Sequence, residues 1–186
     1  PIYKSEEQLE AISTVAQEIM KTLRSENISV KYDDRTTQRP GAKFAQHELQ
    51  GVPLRIAIGP KDLEKGTVEV ARRDTLSKTT FVLEGLSKKI KNLLSEIQHS
   101  LYNKAIDFRN EHITEVDSFD AFKEVLEEKG GFISAHWDGT AETEQKIKDA
   151  TKATIRCIPY DTPDEAGVCV FSGAPSKGRV LFAKAY

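Results

Sequence analysis

Cysteine is nearly absent from this chain. Cys157 and Cys169 are the only two in 186 residues, too few for a disulfide framework, so a reducing compartment with two free thiols is the simple reading. No apolar run approaches the ~20 residues that span a bilayer, and the opening Pro1-Ile2-Tyr3-Lys4-Ser5 lacks the charged and apolar regions of a secretory leader. A soluble, cytoplasmic protein is expected. Glycine patterns of the phosphate-loop or dinucleotide type are missing too, and Gly41 and Gly51 read as backbone turns. His47, His99, His112 and His136 stand in no nucleophile–base pattern with either cysteine, which argues against an independent hydrolase or transferase.

A strong charge of either sign is also lacking. The net charge of -2 argues at first against a nucleic-acid partner, because phosphate neutralisation needs clustered Lys and Arg. The distribution says more than the sum. Residues 31–78 carry ten basic and seven acidic side chains inside an otherwise acidic protein. A modest basic region of this kind suits a selective RNA contact, although a solvated charged face accounts for it equally well. With 38% hydrophobic residues the chain can bury a core, and its length favours two small domains.

Leu9, Ile12, Val15, Ala16, Ile19 and Leu23 recur at helical spacing and predict an amphipathic helix over 5–24, with Ser5 and Gln8 as a capping box and Asn27 as its stop. Alternation in 28–32 predicts a strand. The polar segment 33–41 is a loop, a short helix follows over about 42–50, and strands are predicted at Leu54, Ile56 and Ile58 and over 67–72, with Gly59-Pro60 turning the chain between them. Leu86, Ile90, Leu93, Leu94, Ile97, Leu101 and Ala105 form one stripe from about 84 to 110. That helix would be ~40 Å long, more than one small domain needs, and is expected to join two. Beyond it the pattern predicts helices from Asp117-Ser118 to Leu126 and over 142–151, then strands over 167–171 and 179–184 joined by a hairpin-like return. Alternating helices and strands make the fold class α/β.

The run Asp33-Asp34-Arg35, then Pro40-Gly41-Ala42-Lys43-Phe44, Glu48-Leu49, Gly51-Val52-Pro53-Leu54-Arg55-Ile56, Ile58-Gly59-Pro60, Val68 and Arg72-Arg73-Asp74 resembles the anticodon-binding domain of prolyl-tRNA synthetases. A second stretch looks like the extra terminal domain of the archaeal and eukaryotic-like form of that enzyme. It contains Lys146-Ile147-Lys148, Thr151, Arg156-Cys157-Ile158-Pro159 and the ending Arg179-Val180-Leu181-Phe182-Ala183-Lys184-Ala185-Tyr186. The resemblance implies an anticodon-binding domain over 1–100, with a mixed sheet flanked by helices, and a small α+β terminal domain over 101–186. It implies a catalytic domain elsewhere, holding ATP and Mg²⁺, a full-length homodimer, and tRNA(Pro) as partner. Pro1 falls where the family has its first strand. A free-standing paralogue with a tRNA-binding or regulatory role is the alternative, since loss of an initiator Met before Pro1 would leave the same start.

For a proline anticodon the family reads two adjacent guanines. A carboxylate can accept from guanine N1–H and N2–H₂, while Arg or Lys donates to O6 and N7. Asp34, Arg35, Lys43 and Glu48 match the family motif and have this chemistry. Phe44 is a stacking surface or a core residue of the short helix. Arg55, Arg72 and Arg73 contact RNA or pair with Asp33, Glu69 or Asp74. The terminal domain of the family often holds zinc on four cysteines, and the corresponding positions here are Asp138, Thr143, Cys169 and Ser172. With one thiolate left, and hydroxyls that do not ionise, zinc is expected to be absent, and His136 is too weak a substitute. Packing must then hold the domain, with Trp137, Val168, Val170 and Phe182 as expected core and Cys157 as a small buried residue. The final Tyr186 matches the ending of the family, whose terminal carboxylate reaches toward the catalytic domain.

Overall fold

In the computed structural model, which describes residues 1–160 and 165–185, the chain divides into two compact units, Pro1–Asn103 and Lys104–Tyr186. Among the described residues no helix is long and apolar enough to cross a membrane.

The first unit opens with α1 (Glu6–Ser25), whose inner face buries Ile12 and Leu23. Ser5 caps it by accepting from the Gln8 amide at 3.3 Å, but the Gln8 side chain takes its hydrogen bond from the Lys4 amide rather than from Ser5, so only half of the expected capping box forms. Asn27 ends the helix in the left-handed region, φ 61°, which Asn tolerates better than most side chains. Next come α2 (Pro40–Leu49), β1 (Leu54–Ala57), α3 (Pro60–Lys65), β2 (Thr67–Arg72) and β3 (Lys78–Val82). Pro40 and Pro60 each open a helix, where a missing N–H goes unneeded. Pro60 therefore does more than turn the chain, and α3 and β3 escaped the sequence pattern. The sheet is antiparallel in the order β1-β2-β3, with Ile56 opposite Val70 and Val68 opposite Phe81. Its inner face and α1 enclose a core of Ile12, Leu23, Ile58, Val68, Val70, Leu86 and Ile90. The last two come from α4 (Leu86–Glu111), the long helix whose final turns belong to the second unit.

Segment 28–32 corrects an expectation. Ile28 and Val30 pack on the core as the alternation requires, yet the segment forms no strand. A ladder needs a partner backbone, and a cleft of about 290 Å³ lies between this segment and the outer edge of β1, lined by Ile19, Leu23, Ile28, Val30, Leu54 and Ile56. No strand forms at Pro1 either, where the Ile2 amide donates to the Ile58 carbonyl at 2.8 Å.

The second unit contains β4 (Ile113–Glu115), α5 (Phe119–Glu128), β5 (Phe132–His136), α6 (Ala141–Thr151), β6 (Ala153–Cys157), β7 (Gly167–Val168), β8 (Pro175–Ser176) and β9 (Arg179–Lys184). Its main sheet runs β4-β5-β9-β6, with β4 and β5 parallel and the other pairs antiparallel, so this unit carries the mixed pairing. Phe122, Ile133, Ile147 and Phe182 are fully buried at its centre, and Phe122 meets Phe182 edge-on at 5.2 Å. Ser118 and Thr140 cap α5 and α6.

Three expectations change here. The two final strands do not form a hairpin: β7 pairs with the short β8, while β9 enters the main sheet between β5 and β6. Val168 is 59% exposed, because β7 lies outside that sheet, whereas Trp137 and Val170 pack partly buried against the core. Cys157 is exposed at the end of β6, past an irregularity that shifts its register, and Cys169 is the buried thiol. Tyr186 lies outside the described residues.

Candidate nucleic-acid interface

Asp33 organises one face of the first unit. Its carboxylate accepts from Arg35 Nε at 2.8 Å and Nη2 at 2.6 Å, side-on and bidentate, and lies 2.9 Å from His47 Nε2. Lys43 Nζ donates to the Asp33 carbonyl at 3.2 Å and stands 3.7 Å from the carboxylate. One helical turn separates Lys43 from His47, so α2 brings both to the same carboxylate. Arg35's hydrogen bonds hold the Asp33 carboxyl well below the usual carboxylate range. Burial works against them, and His47 and Lys43 add to the lowering.

Five groups donate from a guanidinium, and those of Arg35 can be followed one by one. Asp33 takes one from Nε and one from Nη2, and the Gln46 side-chain oxygen takes one from Nη1 at 2.9 Å. One N–H is left on each terminal nitrogen, and the side chain is 37% exposed. The neighbouring Asp34 is exposed and makes no hydrogen bond or ion pair among the described residues.

A neighbouring face of α2, with Phe44 and Glu48, meets the sheet. Arg55 on β1 lies over the Phe44 ring at 3.6 Å and pairs with Glu48 at 3.6 Å. Its Nη1 is 4.0 Å from Glu69, too far for a hydrogen bond, and Nε and Nη1 have no hydrogen-bond partner. Arg72 is bidentate to Asp74 and reaches Glu96 at 3.1 Å; that guanidinium holds the Asp74 carboxyl down. Arg73 gives its Nε to the Glu48 carbonyl at 2.7 Å and leaves both terminal nitrogens toward solvent.

The eight positions singled out from sequence thus separate. Asp34, Arg35, Glu48 and Arg73 keep open hydrogen-bonding capacity. Lys43, at 4% exposure, is turned inward onto Asp33; Arg55 and Arg72 are engaged by carboxylates; one face of Phe44 is covered by Arg55. Asp33, Gln46 and His47 were missed as parts of the site. The spacing of Lys43, Gln46 and His47 along one helix, after an Asp-Asp-Arg triplet, is the signal that would have found them. The cleft beside this cluster is walled mainly by aliphatic core residues, and Tyr32, Asp33, Lys43, His47, Gln50 and Arg55 also line it.

In the second unit, the residues at the four metal positions do not fit zinc. Cys169 is the only thiol among them, and the Asp138 carboxylate is already occupied, accepting from Thr140, Thr143 and Ser172.

The first unit is thus a two-layer α/β domain that presents a donor fork and carboxylates around a short helix, and an α+β unit follows it. Residues 2–93 match the family described as Anticodon binding domain, and residues 119–186 match Prolyl-tRNA synthetase, C-terminal. The whole chain is 68% identical to a proline–tRNA ligase of Christiangramia forsetii, 64% to one of Flavobacterium johnsoniae and 53% to one of Porphyromonas gingivalis. It covers 38% of the length of each of these relatives. The chain belongs to the prolyl-tRNA synthetase family, with an anticodon-binding domain followed by the family's C-terminal domain.

Proposed function

We propose that this chain selects tRNA(Pro) by its anticodon, as the RNA-reading portion of a cytoplasmic proline–tRNA ligase. The reader occupies residues 1–100 and the family-specific terminal domain residues 101–186. Activation of proline with ATP and Mg²⁺, transfer to the tRNA end and homodimer formation belong to the rest of the enzyme, and this portion is not itself catalytic.

Arg35 carries the reading. A guanidinium clamped side-on by Asp33 and Gln46, with one N–H free on each terminal nitrogen, has the donor spacing for O6 and N7 of guanine. Its orientation is set before RNA arrives, so little rotamer entropy is lost on binding. Asp34 supplies a carboxylate for guanine N1–H and N2–H₂, and Glu48, with a side chain 45% exposed, supplies another. Arg73 suits a phosphate. Lys43, Arg55 and Arg72 act from beneath, by holding Asp33, Phe44 with Glu48, and Asp74. A base stacking on Phe44 has only the face that Arg55 leaves open.

Titration of the chain with tRNA(Pro) at fixed moderate salt tests this. Arg35→Ala is expected to weaken binding about tenfold or more, the cost of one bidentate base contact of ~1–3 kcal/mol. Unchanged affinity in Arg35→Ala would remove this surface from the account.

A further inference from the structure

Asp138 and the residues around it form a second constellation, in the terminal unit. The Asp138 carboxylate accepts four hydrogen bonds. Oδ1 takes the Thr140 amide at 3.0 Å and the Thr140 hydroxyl at 2.8 Å, and Oδ2 takes the Thr143 hydroxyl at 2.7 Å and the Ser172 hydroxyl at 2.6 Å. A carboxylate has about four acceptor positions in all, so this one is saturated. The donors come from separate parts of the unit: Thr140 is the N-cap of α6, Thr143 lies in its first turn, and Ser172 lies 34 positions along the chain from Asp138.

From these contacts we infer that Asp138, Thr143 and Ser172 form a metal-free clasp, a carboxylate-centred cross-link that joins the end of β5, the start of α6 and the 169–174 turn where other terminal domains of the family use zinc. The turn is arranged for it. Cys169 is buried and donates its amide to the Ala174 carbonyl at 2.8 Å, the Gly173 amide returns to the Cys169 carbonyl at 3.0 Å, and the Ala174 amide donates to the Ser172 hydroxyl at 3.3 Å. Ser172 is therefore polarised from behind while it donates forward to Asp138. Val170 ties the same turn to β5 through the His136 carbonyl at 3.2 Å, and Phe171 packs edge-on against Phe119 at 4.8 Å. Side chains thus link three of the four metal positions to one another, the fourth, Cys169, is held by backbone hydrogen bonds within the turn, and no acceptor position of Asp138 is left for an ion. Burial pushes the Asp138 carboxyl up, but the Ser172, Thr143 and Thr140 hydrogen bonds outweigh it and hold it at about 2, consistent with a permanently charged hub.

Trp137, the chain's one tryptophan, donates its indole N–H to the Thr140 carbonyl at 3.1 Å and so reports on this clasp. Followed by its fluorescence in denaturant, Ser172→Ala and Thr143→Val are each expected to raise the unfolding equilibrium constant of this unit about tenfold, as for a hydrogen bond to a charged group. In an Asp138→Asn background, Ser172→Ala is expected to raise it by less than about threefold. A full tenfold effect in both backgrounds means that Ser172 acts elsewhere and overturns the clasp. A measurement on the unsubstituted chain is independent of whether those variants fold. Its Trp137 melting curve should be the same with added zinc and with a chelator, and no zinc should survive dialysis. Stoichiometric zinc after dialysis, or a melting curve that moves with chelator, overturns the inference.

Discussion

Asp33 is one carboxylate that holds three cationic or ionisable partners, and most of the behaviour of the surface around it follows from that. Removing its charge leaves Lys43 buried without a counter-ion. Asp33→Asn is expected to destabilise the first unit by about 2 kcal/mol, the usual cost of breaking a buried pair discounted for partial exposure, read as a lower denaturation midpoint. The sign of the pH effect follows from the direction of the shift. A carboxyl depressed in the folded state contributes stability that is fully present above its ordinary value near ~4 and is lost as the pH falls below it. The acid limb of the stability curve should therefore flatten in Asp33→Asn, and an unchanged limb would show that the pairing contributes nothing. Arg35→Lys separates charge from shape. It keeps the phosphate-type attraction but loses the fork, so affinity for guanine-altered tRNA should hold while preference for the cognate anticodon drops about tenfold.

Secondary elements show where the sequence pattern succeeded and where it could not. Five of the six helices were legible, through apolar stripes and the Ser5 and Ser118 caps, which are local signals, whereas the six-residue α3 was not and the Pro40 start of α2 falls in the segment that the sequence pattern assigns to a loop. Segment 28–32 failed because a strand is a property of two backbones, and alternation reports only which side chains face inward. Strands β4, β5 and β6 were missed for a related reason: they are short, and β5 is buried on both faces, so alternation is absent. Of the site, the residue types came from the motif, but their division into outward-facing groups and inward supports depends on which donors Asp33 and Gln46 consume, which is geometry. The turn into β5 offers a sharp test of such geometry. Gly130 and Gly131 both have positive φ, but only at Gly131 would a Cβ meet a neighbour, the His112 carbonyl oxygen at 2.7 Å. Gly130→Ala should cost about 1 kcal/mol and Gly131→Ala at least about twice that by chemical denaturation; equal losses would show that the backbone moves aside.

At the scale of the whole molecule, a net charge of -2 means that the proposed RNA reading must work through few phosphates and well-placed base contacts. Lys31, Arg39 and Arg73 are the exposed cations flanking the Asp33 cluster that no carboxylate neutralises among the described residues. About three phosphate contacts give a slope of log K against log salt near -2 for single-stranded RNA, and a slope steeper than about -5 would point to a different, more basic surface. The most direct measurement is equilibrium binding of this chain to tRNA(Pro) and to the same tRNA with its two anticodon guanines replaced by adenines, at one salt concentration. The account predicts at least tenfold weaker binding of the altered tRNA (~1.4 kcal/mol), with Arg35→Ala erasing the difference. Equal affinity of the unsubstituted chain for both RNAs would contradict it.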